Sequence, residues 1–207
     1  MTKISERGMI FNAEMVRALL DGRKTQARRP IKWKQTRFTE IGEREDGSKW
    51  PWSEDAEHAC DFWHPCPFGA VGDRIWVREA FRVHSRATDV ATLVYKASER
   101  NSWTEQTRRV PVAVCNKPAT PEKWTPSLHM PRWASRILLE ITGVRVERLR
   151  SMSQDDARAE GVIAASGPME AGLAFRELWD SIYGEDSWKA NPWVWVIEFK
   201  RVEGGAA

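Results

Sequence analysis

The stretch Arg136-Ile137-Leu138-Leu139-Glu140-Ile141-Thr142-Gly143-Val144-Arg145-Val146-Glu147-Arg148-Leu149 gives the clearest fold signal in this chain. Apolar residues alternate along it on both sides of Gly143, with the period of a β-strand, and the glycine predicts a bend. Shortly after it, Ser153 stands three residues before Asp156, and this spacing predicts a capping box at the start of a helix. We therefore expect a long strand followed by a capped helix.

Helices and strands alternate along the rest of the chain. A first helix is predicted at 13–21, with Asn12 as its N-cap and Gly22 as its C-terminal stop. A later helix is predicted at about 168–182 from the helical spacing of its apolar residues. Further strands are predicted at 74–83, 90–96 and 192–202. Together these elements predict an α+β, mainly β fold, a small β-barrel with flanking helices.

The size of the chain predicts a single domain over residues 1–207. Of the 207 residues, 42% are apolar, which is enough for one hydrophobic core. Residues 33–68 are polar and aromatic and follow neither the helical nor the strand period, so we expect a long inserted segment there. Such an insertion is a candidate binding surface.

The composition limits the possible partners and location. The 32 Lys and Arg residues against 29 Asp and Glu give a net charge of +3, which is only a mild bias towards anionic partners. The twelve tryptophans can stack on bases as well as fill a core. Three unpaired cysteines, no signal peptide and no apolar run of membrane-spanning length indicate a cytoplasmic protein without membrane contact.

Three short segments far apart in the chain are predicted to form one pocket. They bring a lysine, clustered arginines and a carboxylate, which suit gripping or hydrolysing a nucleotide-like ligand. The segments are Gly22–Arg29, Gly72–Glu79 and Asp156–Gly161.

A group of imidazoles and thiols is a weak candidate for a zinc site. Its members are His58, Cys60, His64 and Cys66. The pairs are His-x-Cys rather than Cys-x-x-Cys, which constrains ligand geometry poorly. The sequence therefore predicts neither a metal nor a cofactor.

The chain resembles the ASCH domains of the PUA-like superfamily. The resemblance lies, in the family's order, in residues 20–25, 71–77, 141–144 with the following helix, and 195–200. The segment 124–133 is also similar to one in the longer ASCH proteins of phages and prophages. The resemblance implies a PUA-like/ASCH β-barrel over nearly the whole chain.

The best understood ASCH enzymes are amidohydrolases that remove the acetyl group from N4-acetylcytidine. By the resemblance, the family's catalytic lysine matches Lys24 and its glutamate matches Glu160. The family's threonine position matches Ala27, which lacks the hydroxyl that this acyl transfer needs. This difference favours recognition over catalysis, although a water activated by Glu160 would keep a hydrolase possible.

Other ASCH proteins are regarded as RNA-binding or nuclease-like, and the superfamily holds bases in a barrel cleft. The resemblance therefore implies that the partner is RNA, another single-stranded nucleic acid or a modified nucleoside, with an extruded base in a basic cleft. In this hypothesis Arg28 and Arg29 clamp phosphate and Trp133 or Trp76 stacks a base. The predicted ligand-binding residues are Lys24, Thr25, Arg28, Arg29, Trp76, Arg78, His129, Arg132 and Trp133.

Other interpretations stay open. One is a hydrolase, either an amidohydrolase or a ribonuclease, that uses Lys24 and Glu160. Another is a phage protein that binds a host protein through residues 33–68, because aromatic residues and arginine are common at such interfaces. In a purely structural interpretation, Lys24, Arg28 and Arg29 belong to a solvated basic turn, and Glu160 pairs with Arg158 or Arg136 on the surface.

Overall fold

The computed structural model describes residues 4–32, 40–55, 60–163 and 170–202. Within these residues strands predominate over helices, so the predicted α+β, mainly β class is confirmed. The strands are β1 Glu6–Ile10, β2 Gln26–Pro30, β3 Glu40–Glu43, β4 Lys49–Asp55, β5 Cys60–Trp63, β6 Arg74–Arg78, β7 Phe81–Arg86, β8 Val90–Tyr95, β9 Thr107–Pro111, β10 Leu138–Arg148 and β11 Trp193–Arg201. The α-helices are α1 Ala13–Leu20, α2 Trp103–Gln106, α3 Gln154–Ala159, α4 Glu170–Tyr183 and α5 Glu185–Ala190. None of the helices in the described part of the chain has the length and apolar character needed to cross a membrane.

The chain divides into two compact units. The described residues of the first unit are 4–22, 74–140 and 201–202. Those of the second unit are 23–32, 40–55, 60–73, 141–163 and 170–200. The single domain with an insertion at about 33–68 stays a prediction.

In the first unit, β6 lies between two neighbouring strands. β1 runs parallel to it, with Gly8 opposite Trp76, and the start of β10 runs antiparallel to it, with Leu138 opposite Trp76. Ile75 and Val77 are buried, whereas the residues that alternate with them are half-buried. One side of β6 therefore faces the core and the other side faces outward.

The first unit also contains an antiparallel sheet of β7, β8 and β9. Its inner side chains, among them Phe81, Leu93 and Tyr95, pack in one buried cluster with Met130. The hydroxyl of Tyr95 donates to the carbonyl oxygen of Ala134 at 2.8 Å. The sheet therefore anchors part of the segment between β9 and β10.

The prediction of one continuous strand at 74–83 is wrong. The structure has two strands there, β6 and β7, separated at Glu79 and Ala80. The backbone N–H of Glu79 contacts the sulfur of Met130 at 3.2 Å. Its buried carboxylate receives two hydrogen bonds from Arg136, at 2.9 and 3.0 Å. Strand periodicity could not show the break, because it depends on these two long-range contacts.

The helix starts predicted from capping residues are confirmed. The side chain of Asn12 accepts a hydrogen bond from the N–H of Met15 at 2.8 Å, at the start of α1. Ser153 and Asp156 form the predicted reciprocal capping box at the start of α3. Gly22 follows α1 with a φ of +73°, a conformation that favours glycine. The first two residues of the helix predicted at 168–182 lie outside the described residues, and the rest belongs to α4.

In the second unit, β11 lies beside β10 and pairs antiparallel with β2, with Ala27 opposite Ile197. Phe175 and Trp179 of α4 pack in a buried cluster with residues of β11 and α3. β10 runs through Gly143 without a break. A Cβ at residue 143 would lie 2.7 Å from an oxygen of Glu198, so the glycine makes room for that carboxylate.

The segment at 33–68, which was predicted to be an insertion because it follows neither the helical nor the strand period, contains three strands in its described part. β3, β4 and β5 form an antiparallel sheet with Trp52 opposite Trp63. The indole of Trp63 reaches across Gly42, where a Cβ would lie 3.0 Å from the ring. Cross-strand aromatic pairs stabilise a sheet without the aliphatic alternation that a sequence scan detects. Residues 33–39 and 56–59 lie outside the described residues.

Candidate functional site

A network of charged side chains connects β2, β10 and α3 within the second unit. The ammonium of Lys24 lies 2.7 Å from Oε2 of Glu160 and also donates to the backbone carbonyl of Glu160 at 2.8 Å. The guanidinium of Arg28 lies 3.2 Å from Oε1 of the same glutamate and 2.6 Å from Oε1 of Glu147. One carboxylate therefore binds two cations, and the side chains of both cations are fully shielded from solvent.

The backbone holds these groups in place. Residues 24, 26 and 28 lie on one face of the extended segment, because side chains alternate along a strand. Lys24 forms a β-bridge with Glu160, and the N–H of Thr25 donates to the carbonyl of Ala159 at 2.8 Å. Glu160 is the C-cap residue of α3, and Gly161 follows it with a φ of +86°. The end of α3 is thus fixed directly against the segment that carries Lys24.

Further polar side chains lie around the ion pair of Lys24 and Glu160. Oδ1 of Asp156 accepts hydrogen bonds from Gln26 and from Arg145, both at 2.8 Å. Arg145 also contacts Glu147 at 3.3 Å and forms an ion pair with Glu198. The whole network contains three cations and four carboxylates. Charges that are mutually paired in this way can be buried, whereas isolated ones cannot.

The network changes the ionisation of Lys24 and Asp156, among other members. Burial lowers the pKa of Lys24, although the neighbouring Glu160 partly opposes this effect. Partial burial would raise the pKa of Asp156, but hydrogen bonds from Ser153 and Gln26 and the charge of Arg28 together lower it. Lys24 therefore loses its proton at a lower pH than a surface lysine does, and Asp156 stays ionised into acid solution.

Asp156 gives a pH-dependent prediction. Replacing it by asparagine is expected to lower the free energy of unfolding by about 1–3 kcal/mol at pH 7. A carboxyl group whose pKa is lower in the folded than in the unfolded protein stabilises the fold at pH values above its ordinary pKa. This stabilisation is lost as the pH falls. Urea denaturation should therefore show a difference from wild type that shrinks below about pH 4. Asp155→Asn, at an exposed position of the same helix, is the control. An equal difference in unfolding free energy between wild type and Asp156→Asn at pH 7 and at pH 3 would contradict the lowered pKa of Asp156.

The structure brings Lys24, Arg28 and Glu160 together in a buried ion-pair network, and a ligand pocket formed by the three predicted segments stays a prediction. The interpretation of Lys24 and Arg28 as a solvated turn is wrong, because both are buried. Glu160 pairs with them rather than with a surface arginine. Arg28 lies within β2 rather than at a helix end, and Arg29 is half-buried on the other face.

Two further positions lie on the opposite face of this strand. Ala27 is 1% exposed and lies opposite Ile197, so a hydroxyl at residue 27 would point away from Lys24. Thr25 is exposed, and its backbone carbonyl accepts from the N–H of Phe199 at 2.9 Å. No predicted hydroxyl therefore shares the face of Lys24.

The remaining predicted binding residues belong to the first unit. Trp76 and Arg78 lie on the outward side of β6, with the guanidinium of Arg78 5.4 Å from the centre of the indole ring. The indole of Trp76 lies over Gly8, where a Cβ would be 2.6 Å from the ring. Arg74 occupies the same side of the strand, two residues away. Trp76 therefore stands between two arginines on an outward-facing surface.

The segment after β9 carries the other three residues. Arg132 contacts Glu6 at 2.9 Å. Trp133 packs edge-on against Phe81 at 6.2 Å and supports the core. His129 is exposed and lines a cleft of about 360 Å³ together with Lys117, Lys123 and Trp124. Of the three, His129 is the one that faces a cleft, while Trp133 has a packing role.

No group of three or more potential metal ligands occurs in the part of the chain that the structure describes. Of the weak zinc candidates, His58 lies outside that part. His64 hydrogen-bonds to the hydroxyl of Ser53 at 2.8 Å, and partial burial lowers its pKa. Cys60 is exposed, whereas Cys66 is buried.

Sequence reasoning missed several members of the charged network and the outward position of Arg74. Arg145 and Glu147 alternate with Val144 and Val146, and this alternation of charged and apolar residues was the available signal. Nothing local marks Gln26 as a partner of Asp156, since the two are brought together by the placement of α3.

No family model matches this chain, and no curated protein matches it. Among solved structures, it is similar to an ASCH domain from Lactobacillus crispatus JV V101. The sequence identity is 13%, the alignment covers 95% of this chain and 79% of that chain, and the TM-score is 0.40.

Proposed function

We propose that this protein recognises single-stranded nucleic acid through an aromatic and basic surface of its first unit. The observation that carries the proposal is the position of Trp76, half-buried on the outward side of β6 between Arg74 and Arg78. An indole flanked by two cations offers stacking to a base and charge to the adjoining phosphates. Duplex nucleic acid lacks an exposed base face, so a single strand is the fitting ligand.

Neither arginine has a close carboxylate partner among the described residues. The Nε atoms of Arg74 and Arg78 are shielded from water and have no hydrogen-bond partner among the described residues. Arg74 is only loosely paired with Glu6, at 3.9 Å. Arg78 donates to the carbonyl oxygen of Leu128. Arginines that lack a close carboxylate are suited to bind phosphate, because their charge is not already neutralised.

The contact between Arg78 and Leu128 makes the surface continuous. Leu128 precedes His129, which lines the 360 Å³ cleft with Trp124. The guanidinium of Arg82 lies 4.6 Å from the centre of the Trp124 ring. A nucleic-acid strand that stacks on Trp76 could therefore continue towards a second aromatic and basic position, at Trp124 and Arg82.

The sheet of β3, β4 and β5 does not suit the same ligand. Residues 40–63 contain eight acidic and two basic residues. Such a segment repels phosphate, so the nucleic-acid surface excludes it. Its acidic and tryptophan-rich character is what keeps the alternative of a protein partner open.

The proposal is tested by fluorescence anisotropy with a labelled 12-nucleotide RNA, its DNA counterpart and the corresponding duplexes, at about 50 mM salt. Binding of the single strands at least tenfold tighter than the duplexes is expected. Equal affinity for both forms would reduce the interaction to non-specific charge attraction. No binding of either single strand would contradict the proposed function.

A hydrolase is the second candidate, and the 2.7 Å contact between Lys24 and Glu160 is the observation that favours it. Burial lowers the pKa of Lys24, and ionisable groups of this kind are enriched at catalytic sites. Against it, each cation is shielded from solvent and paired, so a substrate would have to displace one of the carboxylates.

We expect no release of cytidine from N4-acetylcytidine when products are followed by mass spectrometry. Ala27→Thr should not create turnover, because residue 27 faces away from Lys24. Turnover by the wild type that is lost in Lys24→Met, with retained folding shown by circular dichroism, would instead establish the hydrolase.

A further inference from the structure

The first unit contains a cleft of about 490 Å³ that the proposed nucleic-acid surface does not use. Its lining residues are His84, Ser85, Thr92, Trp103, Thr107 and Arg109, with Thr104 beside them. They come from β7, β8, β9 and the short helix α2. The volume is in the range of small-molecule sites.

The cleft concentrates polar groups without protein partners. Among the described residues, the guanidinium of Arg109 has neither an ion pair nor a hydrogen bond. Nδ1 of His84 is shielded from water and likewise lacks a hydrogen-bond partner in the described part of the chain. Of these two groups, the exposed guanidinium of Arg109 is the one that a ligand in the cleft can reach.

An aromatic side chain forms one wall. The side chain of Trp103 is 53% exposed, although its ring meets the imidazole of His84 edge-on at 5.0 Å. The hydroxyl of Thr107 donates to the backbone carbonyl of Trp103 at 2.8 Å, four residues earlier, and so closes the turn that carries the indole. An exposed indole held in this way can stack against a planar ring.

We infer that this cleft binds a phosphorylated nucleoside. Arg109 would hold the phosphate, since a guanidinium without a carboxylate partner matches phosphate oxygens. The hydroxyls of Ser85, Thr92 and Thr104 can both donate and accept, which suits the hydroxyls of a ribose. Trp103 would stack on the base. The ligand is either a free nucleotide or the phosphorylated end of a strand.

Isothermal titration calorimetry of the full chain with adenosine 5′-monophosphate and with adenosine tests this inference. The monophosphate should bind with a Kd of about 0.1–1 mM, and adenosine at least tenfold more weakly. Arg109→Gln should remove most of the difference between the two ligands. Trp103→Ala should weaken both by about fivefold or more. Both side chains are exposed, so the variants should fold, which thermal melting verifies.

Two controls separate this site from the proposed surface. Arg158→Ala, at a partly exposed arginine of the second unit, should leave binding of the monophosphate unchanged. Lys189→Ala, at an exposed lysine of the second unit, should also leave it unchanged. The cleft and the Trp76 surface share no residue, so failure of one proposal does not imply failure of the other. Monophosphate binding that Trp76→Ala weakens and Arg109→Gln does not would overturn the inference. A 5′-phosphorylated oligonucleotide that binds more tightly than its unphosphorylated form, only when Arg109 is present, would identify a strand end as the source. No binding of the monophosphate at about 5 mM, or equal binding by Arg109→Gln, would overturn the inference.

Discussion

Replacing Glu160 by glutamine is expected to lower the free energy of unfolding by about 3–5 kcal/mol. The carboxylate of Glu160 is the shared partner of Lys24 and Arg28, whose side chains are completely buried. A glutamine of the same shape is neutral, so the positive charge of Lys24 would remain in the interior without its counter-ion. Removing one partner of a buried ion pair is far more damaging than removing an exposed one.

Chemical denaturation of the two proteins at pH 7 measures this loss. The matched control is Glu185→Gln, because the side chain of Glu185 is 77% exposed and its ion pair with Lys189 is long at 4.0 Å. That control should stay within about 0.5 kcal/mol of wild type. The pKa of Lys24 is lowered by burial, so the loss caused by Glu160→Gln should shrink as the pH rises towards the ordinary lysine value. A loss below about 0.5 kcal/mol at pH 7 would contradict a buried charged pair.

Trp76→Ala is expected to weaken binding of single-stranded nucleic acid by about 1–3 kcal/mol, which corresponds to roughly fivefold to 150-fold in Kd. The indole supplies the stacking face, whereas alanine supplies none. Fluorescence anisotropy with an unphosphorylated strand measures the change. Trp52→Ala is the matched control, because it removes a half-buried tryptophan of the acidic sheet of β3, β4 and β5, which the proposed surface excludes.

Gly8→Ala tests the same position without removing any side chain that would contact the strand. Its Cβ would lie 2.6 Å from the Trp76 ring and 2.9 Å from Cδ of Arg78, so both side chains must move. A displacement that forces a side chain off its preferred rotamer costs on the order of 1 kcal/mol, so binding should weaken severalfold. If Trp76→Ala and Gly8→Ala both bind as tightly as wild type, Trp76 is not a stacking platform.

Local signals in the sequence predicted local structure well. The caps at Asn12 and Ser153 and the stop at Gly22 involve residues within one helical turn, so their hydrogen bonds could be predicted from spacing alone. The apolar period likewise predicted β8, β10 and β11 to within a few residues.

Features that depend on partners distant in sequence could not be predicted in this way. β3, β4 and β5 depend on tryptophans paired across strands, and the break at Glu79 depends on Arg136. The proximity of Lys24 to Glu160 was implied by the ASCH resemblance, but the burial of the pair was not. Burial depends on Glu147 and Asp156, which contact Arg28 although Glu147 lies on β10, two strands away in the same sheet, and Asp156 lies on α3.

The salt dependence of strand binding tests the central proposal most directly. Anisotropy titrations between about 50 and 200 mM salt should give a linear plot of log affinity against log salt for the wild type. For the double variant Arg74→Ala/Arg78→Ala, the slope should fall by about 1.4, since each lost phosphate contact on a single strand removes roughly 0.7. Arg158→Ala should leave the slope unchanged. A double variant with the wild-type slope and affinity would contradict the proposal that this surface of the first unit holds the strand.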